Sequence, residues 1–396
     1  MKNKISALVP AAVAAVMACE NPEQPASFAG PTVSAQFVQF EASGTQVVTG
    51  EIGQGSIYAL YRPQDWNGRL VLFAHGAVPP TIPVRLPPAV APLRDSLVAR
   101  GYGFAYSSRS ETGFAVKDGV QRTRQLLGLF TSEFGPPERT YVMGNSLGGA
   151  ITLMLAETNP GVFDGALPMC TIAGGTLMAA DYVWGTRVLF DRFFPGVIPG
   201  DALHVPEGLD FSRDLAPAVR SALLADPARA MEMAAVDQIE IQYATFPELV
   251  TSLTGPATPL AFQVNFTADL LDRTHGRSFF DNTATLYTGS QDDAALNASV
   301  GRFVSTPDAT NYLAHYYQPD GNLTLPVLTL HTTRDPLVRF AHEAVYAGIV
   351  ADAGRSEMLV QRTFNRFGHC TFTLDEQLAA LEDLVAWAEQ GVKPSP

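Results

Sequence analysis

The residue best placed for chemistry is Ser146, which stands between glycines where a predicted strand meets a predicted helix. The run at 140–143 is mostly β-branched and aromatic, as in a buried strand, and the segment 144–149 reads Gly-Asn-Ser-Leu-Gly-Gly. A helical pattern follows. Such a G-x-S-x-G turn exposes the serine hydroxyl and aims the free N–H groups of a helix start at it. The pattern predicts a nucleophile that attacks a carbonyl; the alternative is a glycine-rich turn with a passive serine.

A serine hydroxyl is a weak nucleophile unless a base takes its proton and a third group orients that base. Two loops after predicted strands supply both groups. Asp335 follows the apolar run at 325–331, and His369 follows the run at 358–364. We predict that His369 is the base and that Asp335 orients it, in the chain order of one known class of triad. The alternatives are a helix cap for Asp335 and an ordinary loop histidine for His369.

The other histidines fit these roles less well. His75 precedes a glycine after an early strand, a place that serves an oxyanion rather than a base. His331 ends a strand and is expected to bond locally, whereas His342 lies on a helix face. Neither His-Glu-x-x-His nor a cysteine–histidine ligand spacing occurs, and no glycine-rich nucleotide loop follows a strand. We therefore predict no metal site and no cofactor.

Strands and helices alternate on both sides of Ser146, which indicates a fold of the α/β class. Predicted strands and helices follow one another up to residue 170, and the alternation resumes at about 324. This pattern predicts a mainly parallel, doubly wound sheet with helices on both faces. We assign the core to residues 41–170 and 324–396.

The interruption at 171–323 has a different composition. Helical patterns and aromatic residues dominate it, and proline and glycine separate its segments. We predict a helical cap, or lid, domain inserted at the carboxyl edge of the sheet. Most of its aromatic side chains are expected to form its own core, and a few to line a pocket.

The N-terminus has the features of a targeting segment. Lys2 and Lys4 precede an apolar stretch at 5–17, and Ala18-Cys19 is followed by polar, proline-rich sequence. We predict a signal peptide at 1–18, a linker at 19–40, and a lipoprotein in which Cys19 is lipidated; the alternative is an ordinary cleavage site. The protein is then periplasmic, anchored in the outer membrane, or secreted.

The overall charge and the remaining cysteines limit the partners further. A net charge of −13 argues against nucleic acid as a partner, and no later apolar run is long enough to span a membrane. Membrane contact is therefore expected only through a lipid on Cys19. In an oxidising compartment Cys170 and Cys370 suggest a disulfide, and the alternative is two buried thiols. The sequence gives no signal for the oligomeric state.

Four pieces of the chain resemble α/β-hydrolases: His-Gly-Ala at 75–77, the elbow at 144–149, Asp-Pro-Leu-Val at 335–338 and Gly-His at 368–369. The resemblance covers about 45–170 and 324–391. It implies that Ser146, Asp335 and His369 are nucleophile, acid and base. It also implies that the backbone N–H groups of Ala77 and Leu147 bind the oxyanion, without any cofactor.

One detail resembles the tannase and feruloyl-esterase-like enzymes, in which a cysteine after the catalytic histidine bonds a cysteine just before the serine. Cys370 follows His369, but Asn145 precedes Ser146. Cys170 ends the next strand along the chain and can replace the missing cysteine. We therefore expect a Cys170–Cys370 disulfide that fixes the histidine loop to the sheet edge.

These features together predict an exported serine hydrolase that cleaves small carboxylic esters, with a hydrophobic or aromatic group, through an acyl-enzyme. One alternative is a prolyl- or aminopeptidase-like enzyme of the same fold, in which an acidic cap residue such as Asp181, Glu240 or Asp269 would bind the substrate amine. A second alternative is a surface lipoprotein that binds a ligand without catalysis.

Overall fold

The computed structural model of the chain describes residues 33–40 and 44–396. The predicted signal peptide, the predicted lipidation site Cys19 and most of the predicted linker lie outside these residues. Val33–Phe40, the last part of that linker, forms a strand, so the linker prediction is wrong there. The strand pairs antiparallel with its successor in the chain, and this pairing satisfies backbone groups that a linker would leave to water.

Nine strands in the described residues form one sheet with the order β1-β2-β3-β5-β4-β6-β7-β8-β9. Their bounds are β1 Val33–Phe40, β2 Gln46–Ile52, β3 Ser56–Arg62, β4 Arg69–Ala74, β5 Gly103–Ser107, β6 Arg139–Asn145, β7 Gly165–Met169, β8 Val327–Arg334 and β9 Leu359–Phe367. The pairs from β1 to β5 are antiparallel, and every pair from β5 to β9 is parallel. The predicted mainly parallel sheet is confirmed.

Helices cover both faces of this sheet. Their bounds are α1 Ala91–Ala99, α2 Val116–Phe134, α3 Leu147–Thr158, α4 Thr176–Phe193, α5 Ala216–Ala225, α6 Pro227–Val236, α7 Phe246–Leu253, α8 Ala257–Arg273, α9 Asp293–Ser299, α10 Pro307–Tyr316, α11 Ala341–Asp352 and α12 Leu374–Gln390. Side chains of β4 alternate between the faces: Leu70 and Leu72 pack with α2 and α3, whereas Val71 packs with α1 and α12.

Seven of these helices, α4 to α10, belong to a segment between β7 and β8 that we call the helical insertion (residues 170–326). The apolar periodicity of the sequence predicts helices at 216–225 and 227–236, and these are the bounds of α5 and α6. Its largest aromatic side chains are buried together, and the ring of Trp184 meets the ring of Phe279 edge-on at 4.8 Å. Residues 33–396 form one compact unit. No helix in the described part of the chain is both long and apolar enough to cross a membrane.

Candidate active site

Ser146 occupies the sharp turn between β6 and α3. Its backbone has φ 55° and ψ −123°, a conformation that residues with a Cβ rarely adopt. The turn also needs its glycines: a Cβ on Gly144 would lie 2.4 Å from the carbonyl oxygen of Gly148, and one on Gly148 would lie 2.0 Å from that of Ala74. The close approach of strand and helix therefore excludes any side chain at these two positions.

Three side chains that are distant in sequence meet at this turn. Nε2 of His369 lies 2.9 Å from Oγ of Ser146, and Nδ1 of His369 lies 2.7 Å from Oδ2 of Asp335. The meeting follows from the topology, because β6, β8 and β9 are parallel and end at one edge of the sheet. Asp335 comes directly after β8, and His369 two residues after β9. The structure thus brings together the three residues that the sequence singled out.

The two oxygens of Asp335 have separate partners. Oδ1 accepts the backbone N–H groups of Leu337 and Val338 at 2.8 and 2.9 Å, and Oδ2 faces His369. The side chain is fully buried, and helix α11 begins only at Ala341. Asp335 therefore stabilises its own turn and orients the imidazole with one carboxylate, so the cap-like role and the orienting role coexist.

A disulfide joins Cys170, just past β7, to Cys370, the neighbour of His369. The two Cα atoms are 5.3 Å apart although 200 residues separate them in the chain. The predicted disulfide is thus present. Together with His369 these cysteines are the one group among the described residues with the spacing of a metal site. Their sulfurs are bonded to each other and offer no thiolate ligands.

Of the two predicted oxyanion donors, Leu147 directly follows Ser146, and Ala77 lies in a loop that reaches the elbow. Leu147 is the first residue of α3, so its N–H has no acceptor within the helix. Ala77 belongs to the loop after β4, and the preceding Gly76 touches the elbow: a Cβ on Gly76 would lie 3.4 Å from Cβ of Ser146. The loop and the helix start therefore flank the hydroxyl.

A cavity of about 40 Å³, which we call the narrow cavity, is lined by Ser146 and by residues of the helical insertion. That volume has room for roughly three water molecules. Its wall is apolar and includes Ile172, Val183, Trp184, Phe262, Leu313 and Leu337. None of the described residues that line it carries a charge. The surroundings favour an alkyl or aryl group over a polar one.

Comparisons with known proteins agree with this architecture. Residues 54–202 match a sequence family described as a tannase-like family of unknown function (DUF6351). The structure is similar to those of an esterase and of feruloyl esterase B, both from Aspergillus oryzae. Each has a TM-score of 0.50 and 14% sequence identity, over 88% of this chain and 81% of the other. The chain has the α/β-hydrolase fold.

A further similar structure is the ligand-bound rice cell wall degrading esterase LipA from Xanthomonas oryzae, with a TM-score of 0.43 and 12% identity over 87% of this chain and 90% of that one. No curated protein sequence matches the chain. The fold and the tannase-like match confirm the predicted resemblance. The matched segment contains Ser146 and Cys170, whereas Asp335, His369 and Cys370 lie beyond it.

A second histidine, His331, lies behind Asp335, and the sequence predicted only a local role for it. Nδ1 of His331 is 3.0 Å from Oε1 of Glu343, and its Nε2 is 2.9 Å from the carbonyl oxygen of Val338 and 3.7 Å from Oδ2 of Asp335. Burial lowers the pKa of His331, but the hydrogen bond to Glu343 and its charge outweigh burial, and the net pKa is raised. The local bonding predicted for His331 is confirmed.

A buried arginine that contacts the loop after β4 was not predicted from the sequence. Arg109 lies two residues past β5, and its Nη2 donates to the carbonyl oxygen of Gly76 at 2.6 Å. His75 lies next to the same carbonyl, with Nδ1 at 2.8 Å. Burial, and then the charge of Arg109, lower the pKa of His75 to about 3, so its imidazole is neutral. A lone arginine after a strand is a weak signal, because only the fold shows what it contacts.

Proposed function

We propose that this α/β-hydrolase is a serine esterase that hydrolyses small carboxylic esters through an acyl-enzyme. The observation that carries the proposal is the hydrogen-bonded chain from Asp335 through His369 to Ser146 at the mouth of an apolar cavity. Such a chain supplies an activated nucleophile, and the cavity supplies a place for the group attached to the reacting carbonyl.

In the first half-reaction, Oγ of Ser146 forms a bond to the ester carbonyl carbon while Nε2 of His369 takes its proton. The carbonyl electron pair moves onto the oxygen, which the N–H groups of Leu147 and Ala77 stabilise. Asp335 holds the imidazolium in place. The tetrahedral intermediate then releases the alcohol, which receives the proton from His369, and the acyl group stays on Ser146.

In the second half-reaction, water attacks the acyl-enzyme and gives its proton to His369. The bond from the carbonyl carbon to Oγ breaks, Ser146 regains its proton, and the carboxylic acid leaves. These steps need only side chains and backbone groups of the chain together with water.

The narrow cavity suits a short apolar acyl group. It begins at Ser146 and has room for about three methylene-sized groups, and its wall comes largely from α4, α8 and α10. A wider cavity of about 460 Å³ is lined by Cys370 and by the loop after β4 (residues 75–78), which we call the oxyanion loop. We assign the alcohol part of the ester to this cavity and the role of a lid to the helical insertion.

A peptidase of the same fold is less well supported. An aminopeptidase-like enzyme needs a free carboxylate that can bind the substrate amine near the nucleophile. Asp269 accepts the Phe114 N–H and pairs with Arg273. Asp181 lines a separate cavity, and Glu240 is an exposed residue that bonds Gln242. None of the three lines the narrow cavity, whereas the match to a tannase-like family supports esters.

We also propose that the chain is exported. The N-terminal segment has the features of a signal peptide with a lipidation site at Cys19, and the chain's other two cysteines form a disulfide, which favours an oxidising compartment. A lipid on Cys19 would then be its contact with the membrane.

A fluorophosphonate probe tests the proposal directly. We expect covalent labelling at Ser146, hydrolysis of aryl esters well above that of aminoacyl-anilides, and no labelling and background turnover in Ser146→Ala, which should remain folded. Labelling without turnover of any ester would favour a binding protein, and faster anilide cleavage would favour a peptidase. Ester turnover retained by Ser146→Ala would refute the assignment of the nucleophile.

A further inference from the structure

Arg109 is a charged residue in an environment that charges avoid. It is 2% exposed and has φ 63°, in the left-handed region that a long side chain seldom adopts. A buried charge and an unfavourable backbone conformation both cost stability. Packing alone does not explain why both unfavourable features occur at one residue next to the loop beside Ser146.

The guanidinium of Arg109 has no carboxylate partner among the residues that the structure describes. The acid whose charge affects it most, Asp118, accepts hydrogen bonds from Arg122 at 3.0 Å and from the backbone N–H of Ser110 at 2.6 Å. Nε and Nη1 of Arg109 have no hydrogen-bond partner in the described chain, and Nη2 lies close to two atoms, the Gly76 carbonyl oxygen and Nδ1 of His75. Burial lowers the pKa of Arg109 to about 10, so the charge persists at neutral pH.

The carbonyl that Arg109 contacts belongs to the same peptide group as the Ala77 N–H. A peptide group is planar and trans, so its C=O and N–H point in opposite directions, and fixing one fixes the other. A short bond from a cation also draws electron density toward the carbonyl oxygen, which strengthens the N–H as a donor. At 2.6 Å the contact from Nη2 to the Gly76 oxygen is of this kind.

We propose that Arg109 is a positioning residue of the oxyanion hole, which holds and polarises the Gly76–Ala77 peptide so that the Ala77 N–H receives the developing negative charge. The neutral His75 ring packs on the same carbonyl and completes its surroundings. The inference rests on the proposed esterase function. It adds a fixed positive charge behind one of the two oxyanion donors.

The test compares three variants of the full chain: Arg109→Met, Arg109→Lys and the control Arg122→Met. Arg122 is also buried, and it bonds Ser110, Asp118 and Gln125 rather than the oxyanion loop. The probes are an aryl ester and the matching aryl trifluoromethyl ketone, whose adduct with Ser146 carries an oxyanion. The neutral methyl ketone reports binding without that charge.

Removal of a whole oxyanion donor typically reduces turnover about 100- to 1,000-fold. Because Arg109 acts through one donor, we expect Arg109→Met to lower kcat about 10- to 100-fold and to weaken trifluoromethyl ketone binding by a similar factor. KM and methyl ketone binding should change less than about threefold. Arg109→Lys, which keeps a charged donor, should restore part of both losses, and Arg122→Met should match the unsubstituted enzyme.

Equal kcat and equal trifluoromethyl ketone affinity in Arg109→Met and Arg122→Met would overturn the proposal. If Arg109→Met does not fold, the amide proton of Ala77 in the unsubstituted enzyme decides: it should move downfield on trifluoromethyl ketone binding, and an unchanged resonance overturns the inference. Absence of ester turnover in the unsubstituted enzyme would instead refute the esterase proposal, and this inference with it.

Discussion

The sheet edge and the helical insertion meet at Ser146, and they are built in opposite ways. The sheet edge holds polar groups through short, specific links, such as the contacts of His369 to Ser146 and Asp335 and the disulfide beside them. The insertion contributes an apolar wall of regular helices. In the proposed esterase the two regions have separate tasks: the parallel strands fix the reacting atoms, and the inserted helices shape the space that a substrate enters.

Backbone strain follows the same division. Of the six described non-glycine residues with positive φ, four lie around the sheet edge: Arg109, Ser146, Cys170 and Cys370. Each stands on a strand end or a loop that follows one, where the paired sheet holds it in place. A strained conformation persists only where its surroundings leave no alternative. The rigid sheet provides such surroundings.

The largest effect is expected at the sheet edge, where a substitution of Asp335 should abolish most of the turnover. Asp335→Asn can keep the turn, because an amide oxygen still accepts the N–H groups of Leu337 and Val338. The amide nitrogen would then face Nδ1 of His369 and favour the wrong tautomer. We expect kcat for an aryl ester to fall about 10,000-fold with little change in melting temperature. Asp181→Asn, which changes an exposed acid of the insertion, should keep full turnover; equal losses in both variants would contradict the division of tasks.

Loss of the disulfide tests how firmly the histidine loop is fixed. It closes a loop of 200 residues, so replacing both Cys170 and Cys370 with alanine should lower the free energy of unfolding by about 2–5 kcal/mol. Urea unfolding with and without a reductant measures this loss. The reductant should destabilise the native chain and leave the double variant unchanged, and the same midpoint for all four samples would show that the bond contributes nothing.

The residues that meet at the sheet edge could be predicted from the sequence because each of them follows a predicted strand. Asp335 and His369 stand directly or almost directly after apolar runs, and parallel strand ends must meet at one edge. The disulfide was expected from two remaining cysteines in an oxidising compartment and from the resemblance to tannase-like enzymes, which have a cysteine after the catalytic histidine. Contacts to backbone atoms could not be predicted from the sequence in this way. The hydrogen bond from Arg109 to the Gly76 carbonyl, for example, depends on the path of two loops. A sequence gives the type of a residue in a loop, but not the direction of its side chain.

The insertion shows the opposite result. Its helices were predictable from apolar periodicity, and α5 and α6 have the expected bounds. The wall of the narrow cavity was not predictable, because it depends on how helices that are distant in the sequence pack against one another. Of the many aromatic residues of the insertion, only Trp184 and Phe262 line the cavity; most of the others are buried elsewhere, and Tyr243 and Phe246 are exposed. Helical periodicity predicts a buried face but not its neighbour.

Substitutions of Val183 test whether the insertion shapes the acyl site. Val183 is a buried residue of α4 that lines the narrow cavity. Val183→Phe should fill the cavity and lower kcat/KM for a butanoate ester relative to an acetate ester by about 10- to 100-fold, since a methylene group in an apolar pocket contributes about 1–3 kcal/mol. Val183→Ala should shift the preference toward longer acyl groups. An unchanged ratio of the two esters in both variants would place the acyl group elsewhere.

The smallest expected effect concerns buried carboxylates, which have more hydrogen-bond partners at the sheet edge than in the insertion. At the sheet edge Asp335 and Glu343 each have at least three hydrogen-bond partners. In the insertion Asp237 lies at the end of α6, where its carboxylate accepts a bond from Thr186 at 2.7 Å, with the charge of Arg339 nearby. Burial raises the pKa of Asp237 to about 7. The folded state thus holds this proton more tightly than the unfolded chain does.

The sign of the pH dependence follows from that difference. The stabilisation is fully present below the unfolded pKa of about 4 and is lost as the pH rises through about 7, so the free energy of unfolding should fall across this window. Asp237→Asn cannot ionise, and relative to the native chain it should gain about 1–3 kcal/mol between pH 5 and pH 8. The hydrogen bond from the Arg213 side chain, and then that from the backbone N–H of Asp210, lower the pKa of Asp214 to about 2, so Asp214→Asn should show no such gain. Urea unfolding at both pH values measures this difference in the free energy of unfolding. If the difference between Asp237→Asn and the native chain is the same at pH 5 and pH 8, water reaches this carboxylate, and the insertion tolerates a charge as well as the sheet edge does.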